Sequence, residues 1–323
     1  MRRFIIERLA LFIGALAGIS VVIFAALRIL PGDVATVMAG LNSPPDKVAR
    51  IRAQMGLDRP LVLQYGDWMG GLLRGDFGKS LLTGRSVTST VAMRASITFP
   101  LIVMGLVVAL AVGLSLGVAA TLATRPAARS CFHFFGIVGG SIPALWGGLL
   151  LILLFSRGTG LIGLFPSQGF PQRGWHDTGA ALLSLVLPAL TVGIIDGASL
   201  MRYTRSALAD LLSSGYLDQA MACGYTRRQA VLRVGLRLAM PQLVSVVGLM
   251  FAGMVTGVMV IENLFALPGI GYGLVTDLGN RDLIAVQSEL FMLAAFFLAM
   301  GFVVDVLHRL LDPRLKSSLE GGR

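Results

Sequence analysis

The chain has 323 residues, 55% of them hydrophobic and only 14% charged, with a mean hydropathy of +0.79 and a net charge of +10. No soluble core needs so much apolar residue with so little charge, so composition excludes a soluble enzyme or binding module and predicts an all-α integral membrane protein. The positive balance needs no nucleic acid partner, because most of it sits at helix ends expected to meet anionic lipid headgroups.

Six apolar runs are long enough to cross ~30 Å of hydrocarbon as helices of ~20 residues. The first, Leu9 to Leu27, follows the basic start "MRRFIIERL". Its 19 uncharged residues exceed the ~7–15 of a signal peptide's apolar stretch, so a retained helix is expected. A long segment from Arg28 to Arg94 comes next. Within it, Val48, Ile51, Met55, Leu63, Trp68 and Leu72 recur at helical spacing after a Pro-Pro start, predicting short amphipathic helices near the outer membrane surface. The second and third runs are Ala95 to Thr124 and Ser130 to Ser156, and the Gly- and Pro-rich "RGTGLIGLFPSQGFPQRGWHD" after them reads as an external loop. The fourth run, Thr178 to Ile195, extends to Met201 past one Asp; the fifth is Leu238 to Ile261; the sixth, Leu283 to Val304, is interrupted by Glu289. Three glycine pairs at four-residue spacing, Gly14 and Gly18, Gly113 and Gly117, and Gly253 and Gly257, predict close approach of helix backbones.

Lys and Arg in the short loops set the orientation. With the N-terminus inside, the cytoplasmic pieces hold fifteen basic residues and the short outer loops only Arg157, Arg173 and Arg281. Both termini are therefore expected in the cytoplasm. Cys131 and Cys223 then lie on the reducing side, where no disulfide is expected.

Motifs for chemistry are absent. "RGDFGKS" ends like a phosphate-binding loop, but Leu73 stands where its first glycine belongs and no strand precedes it. His133, His176 and His308 show no metal-ligand spacing with each other or with the cysteines. Hence no catalytic residue, no metal site and no cofactor are expected in this chain. Asp196 and Glu289 stand out, because an acid within a span costs ~2.5–3.5 kcal/mol on insertion scales and usually faces the bundle interior or water. Asp196, and Glu289 with its neighbours Gln287 and Ser288, are candidates for a polar translocation path; a packing hydrogen bond is the alternative.

The most polar segment between two spans carries six arginines from Arg202 to Arg237. In it, Tyr216, Leu217, Ala220 and Met221 line one side of a two-turn helix, and Gly224 fits the left-handed position that ends it. "TRRQ" (226–229) is a capping box, so a second helix starts there and carries Ala230, Val231, Val234 and Leu238 on its apolar side into the fifth span. Such a helix–turn–helix is either an amphipathic loop on headgroups or a docking element for a cytoplasmic protein.

This stretch resembles the cytoplasmic "EAA" loop of ABC importer permeases of the dipeptide, oligopeptide and nickel branch, matching at Tyr216, Ala220, Ala222 and Gly224 with Pro241 downstream. It departs with Gly215 in place of an acid, Met221 and Cys223 in place of basic residues, and about one residue fewer before the proline. "LPGD" (30–33), "MGLDRPLVLQYGDWMGGLLRGDFGKSLLTGRSV", "VIENLFALPGIG" (260–271) and "LLDPRLK" (310–316) are similar to the same family in the same order. The resemblance implies a six-helix type I importer permease in the bacterial plasma (inner) membrane. Residues 1–94 would be the first span with the external segment, 95–316 the five-helix core with a coupling loop at 202–237, and 317–323 a cytoplasmic tail. It further implies a homologous second permease as heterodimer partner, two cytoplasmic ATPase domains that bind ATP and Mg, and an extracytoplasmic substrate-binding protein. Tyr216, Leu217, Asp218, Gln219, Ala220, Met221, Ala222 and Gly224 would form the ATPase-coupling surface, with Leu217 and Ala220 in the ATPase groove. The expected cargo is di- or oligopeptides moved by alternating access; nickel complexes, glutathione, a stand-alone secondary transporter and a membrane scaffold are the alternatives.

Overall fold

The structure, a computed structural model, describes residues 2–29, 34–39, 43–54, 56–80 and 82–311. "LPGD" at 30–33, Met55 and everything from 312 onwards, including most of "LLDPRLK" and the expected tail, lie outside the described residues. The described residues are helical throughout their regular elements: α1 (Arg2–Ile29), α2 (Val34–Ala39), α3 (Pro45–Gln54), α4 (Leu61–Leu73), α5 (Val87–Leu122), α6 (Pro126–Ser141), α7 (Ala144–Phe155), α8 (Thr178–Ser213), α9 (Tyr216–Ala222), α10 (Arg227–Gln229), α11 (Leu236–Leu264), α12 (Ile270–Gly279) and α13 (Leu283–Leu311). A π-helical turn, Ala230–Gly235, joins α10 to α11.

Among the described residues, five helices are long and apolar enough to cross a membrane: α1, α5, α8, the continuous Arg227–Leu264 helix and α13. The third predicted span is not straight. It is the pair α6 and α7, bent by 110° at Ile142 and Pro143, and makes a sixth crossing if the pair is counted as one. Pro143 supplies no N–H and disfavours helical backbone at the residue before it. Ile142 is accordingly extended, with φ −70° and ψ 122°.

The described residues up to Thr98 together with 268–299 form one compact unit, and those of 99–267 together with 300–311 a second. In the first, Phe24, Tyr65, Trp68 and Phe291 form an aromatic chain with successive ring centroids 5.4, 6.0 and 5.8 Å apart. Arg28 stacks on Phe24 and donates to Gln64 at 3.0 Å, so the end of α1 is pinned to α4. The hydroxyl of Thr98 accepts from the Ile270 N–H at 2.8 Å and so satisfies a free donor at the start of α12.

In the second unit, glycines set how closely helices meet. A Cβ at Gly113 would lie 2.6 Å from Leu200 Cβ, and one at Gly117 2.5 Å from Thr204 Cβ. Reciprocally, Gly193 and Gly197 on α8 receive Val108 and Val112 of α5. Contacts that rise together in both numbers mean that α5 and α8 run in the same direction, as second and fourth spans of an alternating topology do. The other two predicted pairs behave differently: a Cβ at Gly14, Gly18, Gly253 or Gly257 would meet nothing within 4 Å. Between α11 and α13, His308 Nε2 lies 3.0 Å from Ser245 Oγ and 2.5 Å from the carbonyl of Pro241.

Candidate coupling site and buried ion cluster

With its 36 residues, α8 spans about 54 Å at 1.5 Å per residue, well beyond the ~30 Å hydrocarbon thickness. Its polar end therefore extends out of the membrane and carries α9 with it. Gly215, at φ 78°, turns the chain out of α8. The end of α9 is closed by a Schellman pair of hydrogen bonds, Tyr225 N–H to Ala220 carbonyl at 3.3 Å and Gly224 N–H to Met221 carbonyl at 3.0 Å. Gly224 at φ 92° takes the left-handed position this closure requires. The capping box follows as expected: the Gln229 N–H reaches Thr226 Oγ1 at 3.3 Å, and the Thr226 N–H reaches Gln229 Oε1 at 3.0 Å.

The apolar side of α9 packs on its own chain. Leu217 is fully buried in a cluster with Leu208, Ala230, Val231, Ala239 and Leu243, and Ala220 and Met221 press partly against it. The expectation that Leu217 enters a partner's groove is thereby corrected: its side chain fixes α9 to α8 and to the returning helix. What α9 offers outwards is Tyr216, 58% exposed, with Asp218, Gln219, Ala222, Cys223 and Gly224.

The π turn corrects a second expectation. Ala230 and Val231 are buried as predicted, but beyond them Gly235 and Ala239 face the core, and Leu238 is 49% exposed. One extra residue in the wide turn advances the buried face by one position. Gly235 suits the new register, since a Cβ there would lie 3.2 Å from Leu208 Cδ2. Such turns insert a residue without ending the helix, so the connection from α9 into the fifth span stays continuous.

A second polar feature lies in the first unit. Glu289 is fully buried in α13 and ion-paired with Arg94 of α5, whose Nη1 also donates to Asp277 of α12 at 2.5 Å. One arginine thus ties three helices. Gly273 of α12 makes room for it, because a Cβ there would lie 2.5 Å from Arg94 Cζ and from Glu289 Oε1. Nearby, Ser80 hydrogen-bonds Asp282, whose other oxygen accepts from the Ala285 N–H at the start of α13. Gln287 and Ser288 are buried too. Ser288 donates to the Ile284 carbonyl at 2.7 Å, and Gln287 borders a cavity of about 300 Å³ with Trp68 and Arg28. Asp196 lies half-buried in α8 beside Gly197.

Arg94, Asp277 and Gly273 escaped the reading of the sequence. Arg94 stands one residue before an uncharged run and was placed in the external segment, whereas α5 begins at Val87 and holds Arg94 inside the helix. The signal was Glu289 itself: an acid within a span often pairs with a cation, and Arg94 abuts the second span, although Arg28 and Arg157 abut the first and third in the same way.

Comparison with known proteins completes the picture. Residues 109–317 match the family described as "Binding-protein-dependent transport system inner membrane component", and residues 1–102 match its N-terminal companion, "Binding-prot-dependent transport system membrane comp, N-term". The chain belongs to this permease family. A relative from Brucella abortus, named for a peptide transport system permease, is 32% identical over 98% of this chain and 99% of its own length. The glutathione transport system permease protein of Salmonella typhimurium is also 32% identical, again over 98% of this chain and 99% of its own length. The permease is accordingly an all-helical, multi-pass protein of the bacterial inner membrane and a subunit of an ABC importer.

Proposed function

We propose that this permease pairs with a homologous, distinct second permease to form a pore that carries peptides into the cytoplasm by alternating access. Both of its termini lie in the cytoplasm. Two ATPase domains dock on the exposed face of α9, bind ATP and Mg, and drive the change; an extracytoplasmic binding protein delivers the substrate. The observation that carries this reading is the build of the loop. α9 turns Tyr216, Gln219 and Ala222 outwards while Leu217 holds it on α8, so a push on the outer face passes to the spans.

The polar residues expected along a path divide. Asp196 keeps that assignment. Glu289, Gln287 and Ser288 are assigned to the packing of the first unit, since all three are buried and Glu289 is held by Arg94. Glutathione is the second reading, favoured by the Salmonella relative at equal identity. The ligand held by the binding protein purified with the complex decides between them.

The docking assignment is tested by Ala222→Trp in the assembled complex. Ala222 is exposed, so the bulk blocks a partner without disturbing the chain's own core. Membrane insertion should be retained while ATPase co-purification and peptide uptake are lost. Normal uptake with a normal complement of ATPase would sink the assignment.

A further inference from the structure

The middle of α6 and the turns of α8 around and beyond Arg202 border an open cavity of about 320 Å³ lined by His133, Met201, Arg202, Arg205, Ser206 and Ala209. The helix period explains the lining. Arg202, Arg205, Ser206 and Ala209 return to one side of α8 at steps of three and four, and His133 lies on the stripe of α6 continued by Gly136 and Gly140. Those glycines let α6 approach closely: a Cβ at Gly136 would lie 2.6 Å from Met201 Cε and 2.9 Å from Arg202 Cγ, and one at Gly140 3.3 Å from Arg202 Nη2. The Arg202 side chain therefore passes over the glycine stripe of α6, while the residue as a whole stays exposed.

The chemistry of this lining is one-sided. Two guanidinium groups, an imidazole and a hydroxyl face the cavity, and no carboxylate does. Among the described residues, neither Arg202 nor Arg205 makes an ion pair. Arginine's planar donors match phosphate oxygens, and several such donors on one site make short, charge-assisted hydrogen bonds. The location adds to this. Arg202 ends the apolar run of α8, and Arg125 and Arg129 open α6, so the cavity lies where hydrocarbon gives way to the headgroup layer. Basic pockets between membrane helices at that depth suit anionic headgroups.

We propose that this cavity is a binding site for a phosphate group of net negative charge, with Arg202 and Arg205 as its donors and His133 and Ser206 closing the lining. An anionic phospholipid and a soluble phosphate share this chemistry, and the test separates them. The full-length permease, purified in mild detergent, is titrated with phosphatidylglycerol, with phosphatidylcholine and with inorganic phosphate, and bound molecules are counted by native mass spectrometry. Phosphatidylglycerol should bind more tightly than phosphatidylcholine. In R202Q/R205Q its affinity should fall about thirtyfold, taking roughly fivefold for each arginine at an anionic surface, while R157Q leaves it unchanged. Binding of inorganic phosphate, lost in the same variant, would support the site with a soluble ligand as its occupant. Should the double variant fail to fold, R205Q alone decides, since Arg205 is exposed, with an expected loss of about fivefold. Equal retention of both phosphatidylglycerol and inorganic phosphate by wild type and variant overturns the proposal.

Discussion

Leu217 offers the sharpest test of how α9 is held. It is the one fully buried residue of a seven-residue helix, so it carries most of the loop's attachment, with Ala220 and Met221 packed partly beside it. Its methyl groups approach Gly235, where a Cβ would sit 3.4 Å from Leu217 Cδ1, and its neighbours in the cluster are Leu208 and Val231. Leu217→Ala removes three carbons from a fully buried position. Substitutions of this kind cost about 2–5 kcal/mol, and a surface-lying helix that can settle partway into the gap belongs near 3 kcal/mol. At about 1.4 kcal/mol per decade, local opening of the loop becomes roughly a hundredfold more frequent. Amide hydrogen exchange followed by mass spectrometry on the purified permease reads this directly. The N–H groups of Cys223, Gly224 and Tyr225, which close α9, should exchange about a hundredfold faster, while the middle of α8 stays protected. Exchange at these amides within threefold of the wild type would refute the anchoring. The exposed-face variant Ala222→Trp should leave the same amides unchanged, which separates anchoring from docking.

Two further substitutions test the packing. Gly273→Ala places a methyl group within 2.5 Å of Arg94 and Glu289, forcing the buried pair apart; broken buried pairs cost about 3–5 kcal/mol. The melting temperature of the purified permease should drop by several degrees, and an unchanged value would show that the pair tolerates rearrangement. Gly113→Leu should prevent α5 from seating on Leu200, whereas Gly14→Leu, with open space around it, should purify and melt like the wild type. Equal yields for both would refute the reading that the α5–α8 contact depends on Gly113 whereas Gly14 faces open space.

Local and compositional features were legible before any fold. The apolar runs located the membrane helices, because a backbone in hydrocarbon must satisfy its own hydrogen bonds within the helix. "TRRQ" and Gly224 fixed the turn between α9 and α10, because capping and left-handed backbone act over four or five residues and are written in them. Helix ends were less visible. By sequence, Val87 to Arg94 belongs to the external segment because the uncharged run begins only at Ala95, yet α5 contains Arg94, which Glu289 and Asp277 neutralise from helices nearly two hundred residues away.

The six apolar runs, the turn at Gly224 and the family likeness of the "EAA" stretch are properties of residues close in the chain, and the sequence by itself determined them. Tertiary structure decided which side of α9 is turned outwards, which glycines bring helices together, that the third span bends by 110° and that Arg94 faces Glu289. Each of these depends on a partner distant in sequence. Leu217 has the same apolar character as a residue meant for a partner's groove, and only the arrival of Val231 and Leu208 around it assigns it to the permease's own core.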